Sequence, residues 1–239
     1  MFKRFTVLLA TSLTALFHSS YSLAVPNLTL YDNLLKAAPE LSQLVLSHAL
    51  DAVQCASLQG SSSADRLAVI DFSLPSSEKR LWIFDLKQHQ LLLHDFVAHG
   101  ARSGENHARS FSNINGSHQS SIGLFRSSES YRGKHGYSLR MDGLEPGFND
   151  LARERAIVIH GADYVNPAWI STQGRIGRSQ GCPAVRPEIT HKVVDSLKDG
   201  QLVFTWYPDP EWLAKSTFLN CPGPRLADRA GKARHAGDS

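Results

Sequence analysis

One histidine and one cysteine bound a segment broken by glycines: His160 ends the apolar run "AIVIH", 156–160, and Cys182 closes "GRIGRSQGC". A short β-branched run marks a buried strand, and glycines permit the tight turns that bring a loop back across a strand end. Imidazole and thiol are therefore expected to meet. A thiol with an ordinary pKa near ~8.5 is mostly protonated at neutral pH, so a nucleophilic cysteine needs a histidine or a cation beside it. His160 and Arg178 are expected to supply that field. Gly181 lets backbone N–H groups converge on a carbonyl under attack, forming an oxyanion hole with donors about 3 Å from the developing charge. The Gly161 carbonyl is placed to accept from the imidazole and fix its tautomer. The plainer alternative is a satisfied strand-end histidine and a buried loop cysteine; the combination, in a chain read as exported with an unpaired thiol, favours catalysis.

The elements that must position these residues can be read on either side. Apolar residues recur at helical spacing from Asp32 to Leu58, with Pro39 suited to the first turn of a second helix. The polar loop Gln59–Asp65 follows, then three candidate strands, Leu67–Leu74, Arg80–Leu86 and Gln90–Ala98, joined by "PSSEK" and "KQH" as hairpin turns. Residues 100–155 carry no clear element, and a connection this long is more often functional than idle. Within it, Tyr131 and His135 lie in "YRGKHGYSLRMDG", a polar stretch suited to covering a substrate. After Cys182 a helix from Pro187 to Gly200 and a last strand, "QLVFTWY", are expected, and residues 222–239 read as a polar, poorly ordered tail. The fold class is mostly β with flanking helices, α+β. The expected organisation is a helical segment over 25–65, a catalytic domain over 66–207 and a partly disordered tail over 208–239.

Lys3 and Arg4, the apolar run Phe5–Phe17 and Ser22-Leu23-Ala24 read as a signal peptide over 1–24, so export to the periplasm is expected. No later run is apolar enough to span a membrane. The net charge is +3, and losing Lys3 and Arg4 leaves +1, too balanced to argue for nucleic acid. Of the three cysteines, Cys55 and Cys221 either bridge, leaving Cys182 free, or all three stay reduced and buried. His99, His107, His118 and His135 show no metal-binding spacing, so neither metal nor other cofactor is expected. A monomer is expected.

His160-Gly161 after an apolar strand, followed by Ser179-x-Gly181-Cys182, resembles the signature of the L,D-transpeptidase catalytic domain, also called the YkuD fold. The resemblance is closer to the murein L,D-transpeptidase branch, through "HGARSG", "FSNINGSHQSSIGLF", "YRGKHGYSLRMDGLEPGFN", "RAIVIHGADYV" and "GRSQGCPAV". It covers roughly residues 66–207. What it implies is a mostly β domain acting on peptidoglycan stem peptides in cell-wall biogenesis and cell shape. Cys182 is then the nucleophile, His160 the base and the Gly161 carbonyl the orienting acceptor. A thioester forms at diaminopimelate, D-alanine leaves, and an amine of an acceptor stem takes the acyl group. Ser121, in "SSIGLF", falls where family members often carry a cleft-lining stretch with proline. Gln180 stands where many relatives have a second histidine, and Pro183, Ala184 and Val185 where many have an arginine. Arg178, Arg186 and Arg140 are then the candidates for holding the substrate carboxylate. Two other functions compete: hydrolysis of the same thioester, as an L,D-carboxypeptidase or endopeptidase, and a non-catalytic peptidoglycan-binding module.

Overall fold

Eight strands form one sheet in the computed structural model, which describes residues 28–61 and 64–228; the expected signal peptide and residues 229–239 lie outside the described residues. In chain order they are β1 (Arg66–Asp71), β2 (Leu81–Asp85), β3 (Gln90–Asp95), β4 (Gly123–Gly133), β5 (Gly136–Gly143), β6 (Val158–Gly161), β7 (Ala184–Val185) and β8 (Leu202–Trp206). The sheet order is β3-β2-β1-β8-β4-β5-β6-β7, with β1–β8 and β6–β7 parallel and the other pairs antiparallel. Ala98, just beyond β3, bridges Ala184 of β7, so the two ends of the sheet order come together.

Both faces of the central strands are buried, which is why "RLAVID", "LWIFD" and "LVFTW" read as nearly continuous apolar runs. Alternation sends Leu67, Val69, Phe84 and Phe204 into one core and Ala68, Ile70, Ile83 and Val203 into another. The helices α1 (Leu28–Ala37) and α2 (Gln43–Leu58) cover the first core, α2 through Val45, Leu46, Ala49 and Ala52. A four-residue helix, α3 (Ile170–Gln173), lies between β6 and the cysteine loop, and α4 (Thr190–Leu197) puts Val193, Val194 and Leu197 into the second core.

Four details differ from the sequence reading. The first helix starts at Leu28, and Pro39 lies in the turn between α1 and α2, whose cap position is Ser42. Residues 100–155 contain the long hairpin β4–β5: Leu124 and Phe125 of β4 and Leu139 and Met141 of β5 are buried, while the outer part of β4 and the turn are polar and partly exposed. Beyond Phe125, β4 carries no apolar pattern and is held by the backbone ladder and the Gly133–Gly136 turn, while Tyr137, Leu139 and Met141 of β5 alternate toward the second core. The segment after β8 is packed, with α5 (Pro210–Lys215) capped by Asp209 and burying Trp212. Finally, residues 222–228 are not a loose tail: Leu226 is buried and Asp51 of α2 accepts the N–H groups of Leu226 and Ala227 at 2.8 and 2.9 Å.

Candidate active site

β6 sets His160 between two anchors. Ile157 and Ile159 bury toward the second core, and strand alternation turns His160 to the other side. Its Nδ1 lies 2.9 Å from the Gly161 carbonyl oxygen, which can only accept, so Nδ1 carries the proton and Nε2 keeps the lone pair. Gly161 must be glycine, because a Cβ there would sit 2.2 Å from Thr190 Oγ1. Burial lowers the imidazole pKa, the Gly161 bond raises it, and His135 and Lys134 lower it further; the ring is held neutral, with Nε2 unprotonated.

The cysteine loop is fixed by small side chains. Ser179 Oγ donates to the Cys182 carbonyl at 2.6 Å and accepts the Gly181 N–H at 3.0 Å. Ser120 Oγ accepts from Gly100 N–H and donates to the Gly181 carbonyl at 3.1 Å. Gly181 has φ +122°, and a Cβ there would stand 2.9 Å from the Gln119 carbonyl, so only glycine fits. The Gly181 N–H, expected to help form an oxyanion hole, is thus taken by Ser179; the Cys182 N–H has no acceptor among the described residues.

His160 pairs with Ala184 in the parallel β6–β7 ladder, and Cys182 precedes Ala184 by two residues. Histidine and cysteine therefore stand on neighbouring parallel segments, offset by two positions. The half-buried Cys182 thiol donates toward the Ala156 carbonyl at 3.7 Å. Burial raises its pKa; the Val158 N–H, Arg155 and Lys134 oppose that. Arg178, expected to provide this field, instead donates to the carbonyls of Ala101 and Gly104 and pairs with Glu105 at 2.7 Å. Sequence reasoning missed Arg155, Lys134 and Tyr164, the last of which also feels the charge of Cys182. Arg155 and Tyr164 flank His160 in "RAIVIHGADYV" and Lys134 precedes His135 in "YRGKHGYSLRMDG", but nothing in either run marks their side chains as acting on the cysteine.

The other expected residues divide. His135, exposed in the β4–β5 turn, stacks on His160 with ring centroids 4.5 Å apart, so the hairpin does reach over the site. Arg186 pairs with buried Asp95 at 2.6 Å, and Arg140 pairs with Glu129 at 2.9 Å while lying over the Tyr131 ring. Ser121 is buried, donating to the Ser112 carbonyl and accepting from Arg155. Beside His160 opens a cleft of about 780 Å³ whose walls include Arg132, Lys134, His135, Gly161, Tyr164 and Trp169. Among the described residues, neither Arg132 nor Lys134 is in an ion pair, and no cluster of His, Cys, Asp or Glu is arranged for a metal. Cys55 and Cys221 are bonded to each other, Cα–Cα 5.8 Å.

A family model described as the L,D-transpeptidase catalytic domain matches residues 37–206. Among solved structures, an L,D-transpeptidase from Mycobacterium smegmatis aligns at 13% identity and TM-score 0.38, over 61% of this chain and 60% of that one. The LD transpeptidase LdtMt1 in complex with imipenem aligns at 14% identity and TM-score 0.37, over 59% of each chain. An L,D-transpeptidase (Yku) from Stackebrandtia nassauensis aligns at 12% identity and TM-score 0.36, over 76% of this chain and 90% of that one. The chain thus spans about 60% of the length of the first two. No curated protein matches it.

Proposed function

The chain belongs to the L,D-transpeptidase catalytic domain family, and from that premise we propose that it is an exported, periplasmic peptidoglycan transpeptidase with Cys182 as its nucleophile. The observation that carries the reading is the fixed tautomer of His160: the Gly161 carbonyl holds Nδ1–H and leaves a basic Nε2 next to the strand that follows the one unpaired cysteine. Rotation of the thiol away from Ala156 brings its proton to Nε2, a shift of the kind that substrate binding tightens. The sulfur attacks the diaminopimelate carbonyl carbon, and the Cys182 N–H stabilises the oxyanion. The C–N bond to D-alanine breaks, the imidazolium returns its proton to the leaving amine, and the acyl group stays on sulfur as a thioester. An acceptor amine attacks that carbonyl, gives its proton to His160, and releases the thiolate. With Arg178, Arg186 and Arg140 committed to carboxylates, the donor's carboxylates fall to Arg132 and Lys134 in the cleft.

The test is product analysis by mass spectrometry, after protein purified from the periplasm has been incubated with disaccharide-tetrapeptide donor and disaccharide-tripeptide acceptor. Cross-linked dimers with loss of D-alanine, absent from Cys182→Ala, are expected. Tripeptide without dimers makes the enzyme an L,D-carboxypeptidase, and unchanged muropeptides support the binding module. Dimers formed at the wild-type rate by Cys182→Ala would exclude the assignment.

A further inference from the structure

Arg155 is held by neutral acceptors alone. One guanidinium nitrogen donates to the Ser112 carbonyl and to Ser121 Oγ, the other to Ser117 Oγ at 3.2 Å and to the Gln119 carbonyl at 2.7 Å. All four acceptors are neutral. Arg140, Arg178 and Arg186 each face a carboxylate, whereas half-buried Arg155 faces none among the described residues. A cation withdrawn from water without a counter-ion is costly, so its anion is to be sought nearby.

The geometry names one. Arg155 immediately precedes Ala156, whose carbonyl takes the Cys182 thiol hydrogen bond. A Cβ on Gly181 would lie 3.6 Å from the Arg155 Nη2. The Gln119 carbonyl that anchors Nη2 is the same one that a Cβ on Gly181 would strike. One loop therefore fixes the guanidinium and the backbone of the cysteine turn together. We propose that Arg155 is a positioning residue for the reaction: its guanidinium, clamped by the 112–121 loop, faces the Cys182 sulfur and holds it as the thiolate that attacks.

The step balances within the site. The thiol proton passes to His160 Nε2, and the resulting thiolate is flanked by imidazolium and guanidinium. Arg155 transfers nothing and touches no reacting carbon. Burial lowers the Arg155 pKa and the Cys182 charge partly offsets this, while Arg155 in turn opposes the burial that raises the thiol. The other titratable groups acting on the sulfur are Lys134 on the hairpin turn and Tyr164, while His160 stands on the neighbouring strand β6. Lys134 is exposed and screened by solvent; Arg155 is fixed by four hydrogen bonds.

The inference rests on Cys182 being the nucleophile, but its test needs no muropeptide and so stands apart from product analysis. The pH dependence of iodoacetamide alkylation at Cys182 is measured in wild type, Arg155→Gln and Arg155→Lys, with thermal melts to verify folding. Loss of a fixed opposite charge shifts a neighbouring pKa by about 1–3 units. Arg155→Gln is expected to move the alkylation midpoint up by at least about one unit, cutting the rate at neutral pH about tenfold. Arg155→Lys is expected to stay near wild type. A wild-type midpoint in Arg155→Gln, or equal shifts in both variants, would overturn the proposal. Should Arg155→Gln not fold, Arg155→Lys decides: a wild-type midpoint supports the role of the charge, and a midpoint equal to that of free cysteine refutes it.

Discussion

Burial sets the charge of imidazoles in this protein, and not only in the site. His160 and His48 both have lowered pKa values with desolvation as the first cause. His48, on α2, stacks on Trp206 of β8 with centroids 4.8 Å apart, and its pKa falls to about 4, with Arg225 adding to the effect. The sign follows from proton uptake. The unfolded chain protonates this histidine as pH falls through about 6.5, while the folded chain resists until about 4. Stability from this residue is therefore full above that window and lost across it, by about 3 kcal/mol at most. His99, lowered to about 3 by burial and by Arg80, acts in the same direction. His48→Phe keeps the stack and removes the proton, so urea midpoints between pH 6.5 and 4 should fall less steeply with acid, by the equivalent of about one proton. An unchanged slope would contradict this account.

At the scale of elements, what was legible was apolar. β1, β2, β6 and β8 announce themselves by β-branched and aromatic runs because both faces of the sheet are buried. The β4–β5 hairpin was not legible, since "RSSESYRG" carries no alternation, and the short alternation of Tyr137, Leu139 and Met141 in β5 had no apolar partner strand to mark a pair. The segment beyond β8 was misjudged because its polar composition hides Trp212, Phe218, Leu219 and Leu226, each of which packs into the core under α2. The Cys55–Cys221 bond ties that segment to α2 across 166 residues of chain. Removing it releases a very long loop in the unfolded state, so Cys55→Ala/Cys221→Ala should lose about 2–5 kcal/mol, read as a lower urea midpoint at unchanged slope. Equal midpoints, or two free thiols in protein purified from the periplasm, would refute this.

On the scale of the whole molecule, the sheet's two ends meet at the place where the cysteine loop crosses. Ala98 bridges Ala184, Gly100 bridges Ser179, and β7 lies parallel to β6. The pairing of β6 with β7 is what sets His160 and Cys182 on adjacent segments. That a strand-end histidine and the cysteine loop lie on neighbouring segments could be read from spacing, and at Gly161 and Gly181 a Cβ would strike a neighbour. The cations could not: Arg178 and Arg186 each stand four positions from the cysteine, yet they turn to Glu105 and Asp95, while Arg155 arrives from a turn 27 positions earlier. Charge at a site assembled from distant segments is set by topology, and no local pattern encodes it. The central claim is that an acyl group passes through the Cys182 sulfur. Intact-protein mass spectrometry after brief exposure to disaccharide-tetrapeptide tests it most directly. One hydroxylamine-sensitive adduct with the mass of the disaccharide-tripeptide acyl group, mapped to Cys182 and lost in Cys182→Ala, is expected; product formation with no adduct, or an adduct on another residue, would contradict the account.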